Sequence, residues 1–325
     1  MRLGKVHPSL LEKLVLTRRG AARGDVVVGP AIGEDAAVVD LGGQYLVVHT
    51  DPITGSVRLL GSLAVYVPTN DIAVRGVEPM WLSVALFLPP GAGEDVLDVI
   101  TRQMDEAARR LGVAIVGGHT EVTTAVTRPV AVVTAMGVGR RFVSTSGAKP
   151  GDVVVMTKSA GQEAASILAS DFAEEARRRG VPAEVLERAR GLVAEISVAR
   201  EALALADLAT SMHDPTEGGL ANGLAEIAYA SKVSIDVRRE DVVVYREVEA
   251  LCRAFGIDPL ETLSSGVLLA TVPRDKLGEA LERLQKLGVP HAVVGEVKPP
   301  SGYLVKIGDR RYKEPYVEDR LFAIF

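Results

Sequence analysis

The chain has 325 residues, of which 47% are hydrophobic, and a formal net charge of −5. This length predicts two domains that each bury a core, and the hydrophobic content excludes a disordered chain. The acidic balance argues against general nucleic-acid binding, which usually leaves a basic footprint. No stretch approaches the roughly 20 apolar residues that span a bilayer, and no signal peptide is visible, so we expect no membrane association and a cytoplasmic location.

Elements alternate between strand and helix through the first half. The glycine pair Gly42-Gly43 predicts a hairpin turn, and a helix is expected over residues 60–75, kinked at Pro68. Glu94–Leu111 has amphipathic spacing and should end at Gly112. The predicted strands span residues 26–28, 36–39, 45–50, 81–88, 113–116 and 130–136. The apolar face of the amphipathic helix is predicted to contain Val96, Val99, Ile100, Ala107 and Leu111.

The turn-rich segment 144–151 is the predicted domain boundary, so the domains are expected to span residues 1–147 and 148–325. Beyond it, a strand leads to a helix near Gln162, and helical stretches continue to about Leu208. Further helices are predicted over 216–230 and 276–287, and further strands over 153–156, 266–272 and 292–297. This mixed order, with several hairpins, favours an α+β (mixed α/β) fold over a purely parallel sheet.

Two aspartates flank the predicted hairpin. Asp35 precedes one strand and Asp51 follows the other, so antiparallel pairing should bring them together at its open end. Two carboxylates at one place repel each other, whereas a bound divalent cation would make the arrangement favourable. Capping of nearby backbone amides is an equally consistent interpretation.

Two further carboxylates extend this pattern. Asp71 lies in an apolar helical stretch, where burial would require a partner and exposure would not. Glu121 follows a predicted turn whose glycines let backbone amides approach an anion. Magnesium usually binds a few carboxylates together with substrate phosphates, which these four acidic residues would suit. The common mononucleotide and dinucleotide motifs are absent.

Five segments in order resemble the aminoimidazole ribonucleotide synthetase superfamily. They cover nearly the whole chain and span residues 33–39, 49–51, 70–79, 117–121 and 212–221. That superfamily includes thiamine-monophosphate kinase, selenophosphate synthetase and the hydrogenase-maturation factor that dehydrates a carbamoyl group. Asp258-Pro259-Leu260 before Ser264-Ser265-Gly266 resembles the maturation branch.

The resemblance implies a two-domain architecture, with an N-terminal sheet domain that forms a homodimer and a C-terminal α/β sandwich. It implies that ATP and Mg²⁺ bind between the acidic site and the partner subunit. The metal-binding residues would be Asp35, Asp51, Asp71 and Glu121. The ATP-binding residues would be Gly33, Asn70, Gly117, Gly118, His119 and Thr120.

Three functions fit this resemblance, and none assigns a catalytic residue. The first is an ATP-dependent enzyme that activates an oxygen of a small-molecule substrate by phosphorylation. The second is a small-molecule kinase similar to thiamine-monophosphate kinase. The third is a non-catalytic nucleotide-binding accessory protein that docks on a maturation partner protein.

Cysteine usage bears on the maturation reaction. In the maturation branch, a cysteine at the end of a flexible tail carries the carbamoyl group, whereas this sequence ends at Phe325 without one. The single cysteine, Cys252, lies in a predicted helix over residues 248–255. We therefore expect Cys252 to be a buried packing residue with a raised pKa.

The segment around His213 precedes a helix. Asp214 or Thr216 is expected to cap that helix, with Pro215 near its first turn. His213 is interpreted as a structural residue beside the cap.

Overall fold

The structure is a computed structural model that describes residues 3–324. It contains two mixed β-sheets with helices packed against them, which confirms the predicted mixed α/β class. The helices are α1 (Pro8–Leu14), α2 (Leu60–Ala73), α3 (Glu94–Leu111), α4 (Gln162–Ser170), α5 (Ala173–Arg178), α6 (Ala183–Gly191), α7 (Ala199–Leu205), α8 (Gly219–Ser231), α9 (Arg246–Phe255) and α10 (Leu277–Lys286).

The first sheet has the order β1-β2-β3-β6-β4-β5. Its strands are β1 (Val26–Val28), β2 (Ala37–Asp40), β3 (Tyr45–Ile53), β4 (Trp81–Leu88), β5 (Ala114–Val122) and β6 (Val130–Gly139). Only the β4–β5 pair is parallel among these neighbours. The hairpin between β2 and β3 turns at Gly42 and Gly43, both of which have positive φ, as the glycine pair predicts.

The second sheet has the order β13-β12-β9-β11-β7-β10-β8. Its strands are β7 (Val153–Thr157), β8 (Ser211–His213), β9 (Ser234–Val237), β10 (Leu269–Val272), β11 (His291–Lys298), β12 (Val305–Ile307) and β13 (Arg310–Tyr312). The interior strand β7 is buried along its whole length, and its first four residues are apolar on both faces.

Local sequence patterns place several elements correctly. Helix α3 has the predicted bounds, and Gly112 follows it with φ +71, the left-handed conformation that glycine adopts readily. Val99 was wrongly assigned to its apolar face, because that side chain is 45% exposed and Met104 is buried instead. The helix predicted from residue 216 begins only at Gly219.

Two sequence predictions about where a strand ends and where the chain turns are wrong. Asp51 does not follow a strand but lies inside β3, which continues to Ile53. Residues 117–120 do not form the predicted turn before Glu121, because β5 runs through all of them and pairs with β4. Gly118 pairs with Val84, and a Cβ at Gly118 would come within 1.8 Å of the Val84 carbonyl oxygen. Gly118 therefore allows the close approach of β4, whereas a Cβ at Gly117 would meet nothing within 4 Å.

Helix α2 belongs to the half of the chain that forms the first sheet and is hydrogen-bonded to the half that forms the second sheet. It is buried almost throughout, and Asn70 in its last turns is fully buried. The Asn70 amide donates to the carbonyl oxygen of Ile196 at 2.9 Å and accepts from the backbone N–H of Val198 at 2.9 Å. These two bonds connect α2 to the segment that enters α7.

We expect Asn70→Ala to lower the free energy of unfolding by about 2–4 kcal/mol, because it leaves two buried backbone groups without partners. Urea titration in the presence of a chelator measures this loss. Thr69→Val is the control, since the Thr69 hydroxyl bonds only to carbonyls within its own helix. A loss no larger than that of the control would contradict the role of Asn70 as a tie between the halves.

Within residues 3–324, no helix is both long enough and apolar enough to cross a membrane.

Candidate metal and nucleotide site

A cavity of about 630 Å³ lies where both halves of the chain meet, and its volume suits a small-molecule ligand. Helix α2, strand β3 and the segment before β2 form one side. Residues 213–226 and the start of α4 form the other, and both terminal segments line the mouth. Eight carboxylates line it: Glu34, Asp35, Asp51, Asp71, Glu163, Asp214, Glu217 and Glu226.

The acidic cluster at the base of this cavity contains three of the predicted metal residues. The ligand atoms of His49, Asp51 and Asp71 lie within 4.8 Å of one another, and so do those of Asp35, Asp71 and Asp214. Asp71 belongs to both groups, so it links β3 to the second half of the chain. The structure thus brings Asp35, Asp51 and Asp71 together and adds Asp214 to them.

The cluster has unused binding capacity. One oxygen of Asp71 is buried without a hydrogen-bond partner among the described residues, and the buried Asp214 carboxyl has only the Asn70 amide as a nearby side-chain donor, outside regular hydrogen-bond geometry. Burial, followed by the charges of neighbouring aspartates, raises the pKa of Asp71 well above its ordinary value and that of Asp214 to about 7. Buried carboxylates without donors are costly, and a divalent cation would supply the missing positive charge. The donor set therefore fits Mg²⁺.

Strand β3 places His49 and Asp51 on the same face. His49 Nε2 lies 3.0 Å from Asp51 Oδ1. Burial alone would lower the pKa of His49, but its hydrogen bond to Asp51 and the charge of that carboxylate raise it above the ordinary value. Burial alone would raise the pKa of Asp51, but the hydrogen bond and the charge of His49 outweigh it and lower that pKa below its ordinary value.

His213 holds two carboxylates at the far side of the cluster. Its Nε2 lies 3.0 Å from Glu226 Oε2, and its Nδ1 forms an ion pair with Asp35. Burial would lower the pKa of His213, but Asp35 and Glu226 raise it to about 10, so the ring is an imidazolium at neutral pH. His213 thereby fixes Asp35 in place next to Asp71.

Lys5 brings a second positive charge to this side of the cavity. Its Nζ lies 3.6 Å from Glu226 Oε1 and 3.5 Å from Glu217 Oε2. Burial would lower the pKa of Lys5, but the carboxylates, Glu226 first, raise it above the ordinary value. The N-terminal segment thus contributes charge to the site.

The predicted capping role of Asp214 and Thr216 is wrong. Helix α8 has Gly218 as its N-cap without any side-chain cap, and the Gly218 N–H donates to Asp319. Asp214 instead faces Asp35 and Asp71. The available signal was the pair His213-Asp214 at the end of the buried strand β8, but the residues that the pair contacts are distant in the sequence.

The remaining predicted residues occupy three different places. Gly33 lines the cavity with φ +84, and a Cβ there would lie 2.9 Å from the Glu226 carbonyl oxygen. The Asn70 amide is occupied by the bonds to Ile196 and Val198. Five predicted site residues lie on the exposed edge strand β5: Gly117, Gly118, His119, Thr120 and Glu121.

Strand β5 is three strand spacings from β3, which is roughly 14 Å at ~4.8 Å per spacing. Glu121 is therefore separated from Asp51 across the sheet within one subunit. Its carboxylate accepts from His119, whose Nε2 lies 3.0 Å from Glu121 Oε2. The structure does not bring Glu121 into the acidic cluster of its own chain.

Cys252 matches its expected environment. It lies in α9, is 1% exposed, and burial raises the pKa of its thiol to about 12. The thiolate is the reactive form of cysteine, so a buried thiol with this pKa is a poor nucleophile at neutral pH.

We therefore expect iodoacetamide to leave the native protein unmodified and to add one group after denaturation in guanidinium. Intact mass measurement distinguishes the two cases, with Cys252→Ser as the control that gains no group in either state. Modification of the folded wild-type protein would show that Cys252 is more accessible than its packing indicates.

Two family models match the chain. The N-terminal domain of AIR synthase related protein matches residues 33–139, and the C-terminal domain matches residues 149–307. The acidic cluster draws residues from both matched regions. The chain belongs to the AIR synthase related family and has its two-domain, PurM-like fold.

Curated relatives come from two branches of this family. The carbamoyl dehydratase HypE of Azotobacter vinelandii is 31% identical over 249 residues, which cover 73% of this chain and 69% of the relative. The thiamine-monophosphate kinase of Pyrococcus abyssi is 29% identical over 290 residues, which cover 86% of each protein.

Solved structures agree with this placement. A hydrogenase maturation protein HypE in complex with ATP has a TM-score of 0.66 and 26% identity, covering 96% of this chain and 95% of that one. A HypE–HypF complex has a TM-score of 0.68 and 29% identity, and the match covers 85% of this chain and 90% of that one. The chain is thus similar to proteins that bind ATP and to a protein that assembles with a maturation partner.

Proposed function

We propose that this protein is an ATP- and Mg²⁺-dependent enzyme, similar to the hydrogenase-maturation factor, that activates an oxygen of a small substrate by phosphorylation. The observation that carries the proposal is the cluster of four aspartates, in which one oxygen of Asp71 and the oxygens of Asp214 lack a regular hydrogen-bond donor within the described chain. The similarity to a HypE solved with ATP supports the nucleotide.

In this proposal Asp35, Asp51, Asp71 and Asp214 hold the metal. A bound Mg²⁺ would supply positive charge that offsets the negative charge of the phosphates during phosphoryl transfer. His213 orients Asp35 through their ion pair, and His49 does the same for Asp51. Lys5 neutralises Glu217 and Glu226 at the cavity wall, which lowers the repulsion that an entering phosphate would meet.

Titration calorimetry with ATP, with and without magnesium, tests the proposal. We expect binding with magnesium and at least a 100-fold weaker affinity in excess chelator, because the carboxylates alone repel the phosphates. Asp214→Asn should weaken the magnesium-dependent binding, and the exposed Asp98→Asn on α3 is the matched control. Equal ATP affinity with and without metal would reject the metal-bridged site.

We also propose a homodimer that covers strand β5. All nine of its residues are exposed on an unpaired sheet edge, including Ile115, Val116 and Val122. Exposed edge strands and exposed apolar groups are normally covered by another element or a partner. Such a partner would bring residues 117–121, including Glu121, toward a neighbouring subunit's surface.

Sedimentation velocity tests this arrangement. We expect a dimer at micromolar concentration for the wild-type protein and a monomer for Val116→Lys, which places a charge on the apolar edge. Val99→Lys on α3 is the control, since it alters another exposed valine, which lies on a helix. A wild-type monomer, or a dimer that survives Val116→Lys, would contradict the β5 interface.

The substrate separates the maturation-like function from two alternatives. The kinase alternative rests on the similarity to thiamine-monophosphate kinase over 86% of both chains. The accessory alternative, docking on a maturation partner protein, rests on the similarity to a HypE solved with HypF. ADP release can be measured with carbamoyl phosphate, thiamine monophosphate or formylglycinamidine ribonucleotide. Release with only one of them identifies the branch, and ATP binding without any release favours the accessory alternative.

A further inference from the structure

A second cavity, of about 440 Å³, lies where the start of α2 meets the end of α4. Its lining residues are Arg58, Leu59, Ser170, Asp171, Ala173, Glu174, Arg177 and Arg190. None of them lines the larger cavity that contains the acidic cluster, so this is a separate space. Its volume lies in the range of pockets that bind small molecules. We refer to it as the arginine cavity.

Guanidinium groups dominate the charge of the arginine cavity. Arg58 and Arg177 are exposed, and neither side chain forms a hydrogen bond or an ion pair in the part of the chain that the structure describes. Arg190 is partly occupied, because its Nε donates to the Ala169 carbonyl at 2.8 Å and its Nη1 donates to Glu187 at 3.3 Å. Two guanidinium groups are therefore available to a ligand, and a third lies beside them.

The carboxylates that line the arginine cavity do not cancel this charge. Asp171 accepts from the backbone N–H groups of Val57 at 3.1 Å and Arg58 at 3.0 Å, and also from the Ser56 hydroxyl. Its charge is thus already compensated at the start of α2, where the helix dipole is positive. Glu174 is the one other carboxylate among the lining residues, against three guanidinium groups.

A buried hydroxyl on the wall lacks a partner. Ser170 is 6% exposed, and its Oγ is buried without a hydrogen-bond partner among the described residues. A buried polar group in this state is unfavourable, and an acceptor oxygen of a ligand in the cavity would supply the missing bond. The hydroxyl therefore points to a ligand independently of the arginines, which by themselves would be consistent with a solvated surface.

The backbone that presents Arg58 is fixed in place. Its N–H donates to Asp171, and its carbonyl oxygen accepts from the side-chain amide of Gln103 at 2.8 Å. The same Gln103 side chain accepts from the N–H of Gly61 at 3.1 Å. A backbone that is already ordered loses less conformational freedom when a ligand binds.

We propose that the arginine cavity binds a small molecule that carries a phosphate group. A phosphate monoester has close to two negative charges and about three acceptor oxygens, so it can accept from two guanidinium groups and from the Ser170 hydroxyl together. A carboxylate has one charge and two oxygens and would satisfy fewer of these donors. The site does not depend on the proposed function, because it shares no lining residue with the acidic cavity.

Glycerol 3-phosphate and glycerate are suitable probes, because they are similar in size and differ in the anionic group. Titration calorimetry on the full chain measures their affinities in buffer freed of divalent metal by a chelating resin. Without metal the acidic cluster repels phosphate, so binding there does not contribute. We expect glycerol 3-phosphate to bind with a dissociation constant below about 1 mM and at least tenfold more tightly than glycerate at equal ionic strength.

Substitutions of the lining residues should change this affinity in both directions. Arg58→Gln and Arg177→Gln should each weaken glycerol 3-phosphate at least tenfold, and Ser170→Ala at least threefold. Glu174→Gln should strengthen it about threefold, because it removes a repelling charge. Arg110→Gln, which alters an exposed arginine on α3, is the matched control and should leave the affinity unchanged.

Binding no tighter than that of glycerate, or an affinity that survives both arginine substitutions in the cavity, would overturn the site. An equal loss in Arg110→Gln would also overturn it, since the effect would then come from overall charge. A polyglutamate peptide that binds through Arg58 and Arg177 when glycerol 3-phosphate does not would assign the surface to acidic protein segments and reject a small-molecule site.

Discussion

Asp71→Asn is expected to stabilise the metal-free protein while abolishing its response to magnesium and ATP. Asp71 faces Asp51 on one side and Asp35 and Asp214 on the other, and one of its oxygens has no donor among the described residues. Two unit charges 4 Å apart repel by about 1 kcal/mol in water and about 4 kcal/mol at an effective dielectric constant of 20. Removing one charge should therefore raise the free energy of unfolding by about 1–4 kcal/mol without metal.

The same substitution removes a ligand shared by both parts of the cluster, so the stabilisation by bound ligand should disappear. Melting temperatures in chelator and with excess Mg²⁺ and ATP measure both effects. Asp98→Asn, on the exposed surface of α3, should change neither. A metal-free Asp71→Asn protein that melts below wild type, yet still responds to magnesium and ATP, would show that the cluster is structural.

Glu201→Leu is expected to cost about 3–5 kcal/mol, because it leaves a buried ammonium without its counter-charge. Lys158 Nζ lies 2.6 Å from Glu201 Oε1, and the two side chains are 6% and 3% exposed. The ammonium also donates to the carbonyl oxygens of Glu195 and Ser197 at 2.9 and 2.7 Å. Those carbonyls carry only partial charges, so they cannot replace the carboxylate.

Urea unfolding measures this cost, and the double variant Lys158→Met with Glu201→Leu should recover at least half of it, because neither charge then remains buried. Glu249→Ala is the control, since its pair with Arg253 is exposed and should contribute less than about 1 kcal/mol. A loss below about 1 kcal/mol in Glu201→Leu would mean that the ammonium is hydrated or neutral in the folded state.

The sequence predicts those features that depend on nearby residues. The periodicity of Glu94–Leu111 and the glycine after it define α3, because a helix and its C-terminal cap are both local. The Gly42-Gly43 turn likewise fixes the β2–β3 pairing, and that pairing brings Asp35 close to Asp51. The candidate metal site was predictable to the extent that one hairpin forms it.

The rest depends on contacts between distant parts of the chain. Asp214 and His213 meet Asp35 only after β8 joins the second sheet and the two halves pack, so a local pattern suggested a helix cap instead. The pair Gly117-Gly118 is a turn signal by itself, but pairing with β4 extends the strand through it. The domain boundary at residues 144–151 stays a prediction.

The shared burial between the two halves has a consequence for how the molecule unfolds. One apolar cluster contains Leu63 and Ile72 of α2 together with Ile167 and Leu168 of α4 and Leu251 of α9. Neither half shields that surface from water by itself, so separating them would expose much of the cluster. Heat should therefore melt the protein in one cooperative transition, and amide hydrogens in α2 and α4 should exchange at a common, slowest rate. We therefore expect the two regions that match separate domains in sequence, residues 33–139 and 149–307, to unfold as one thermodynamic unit.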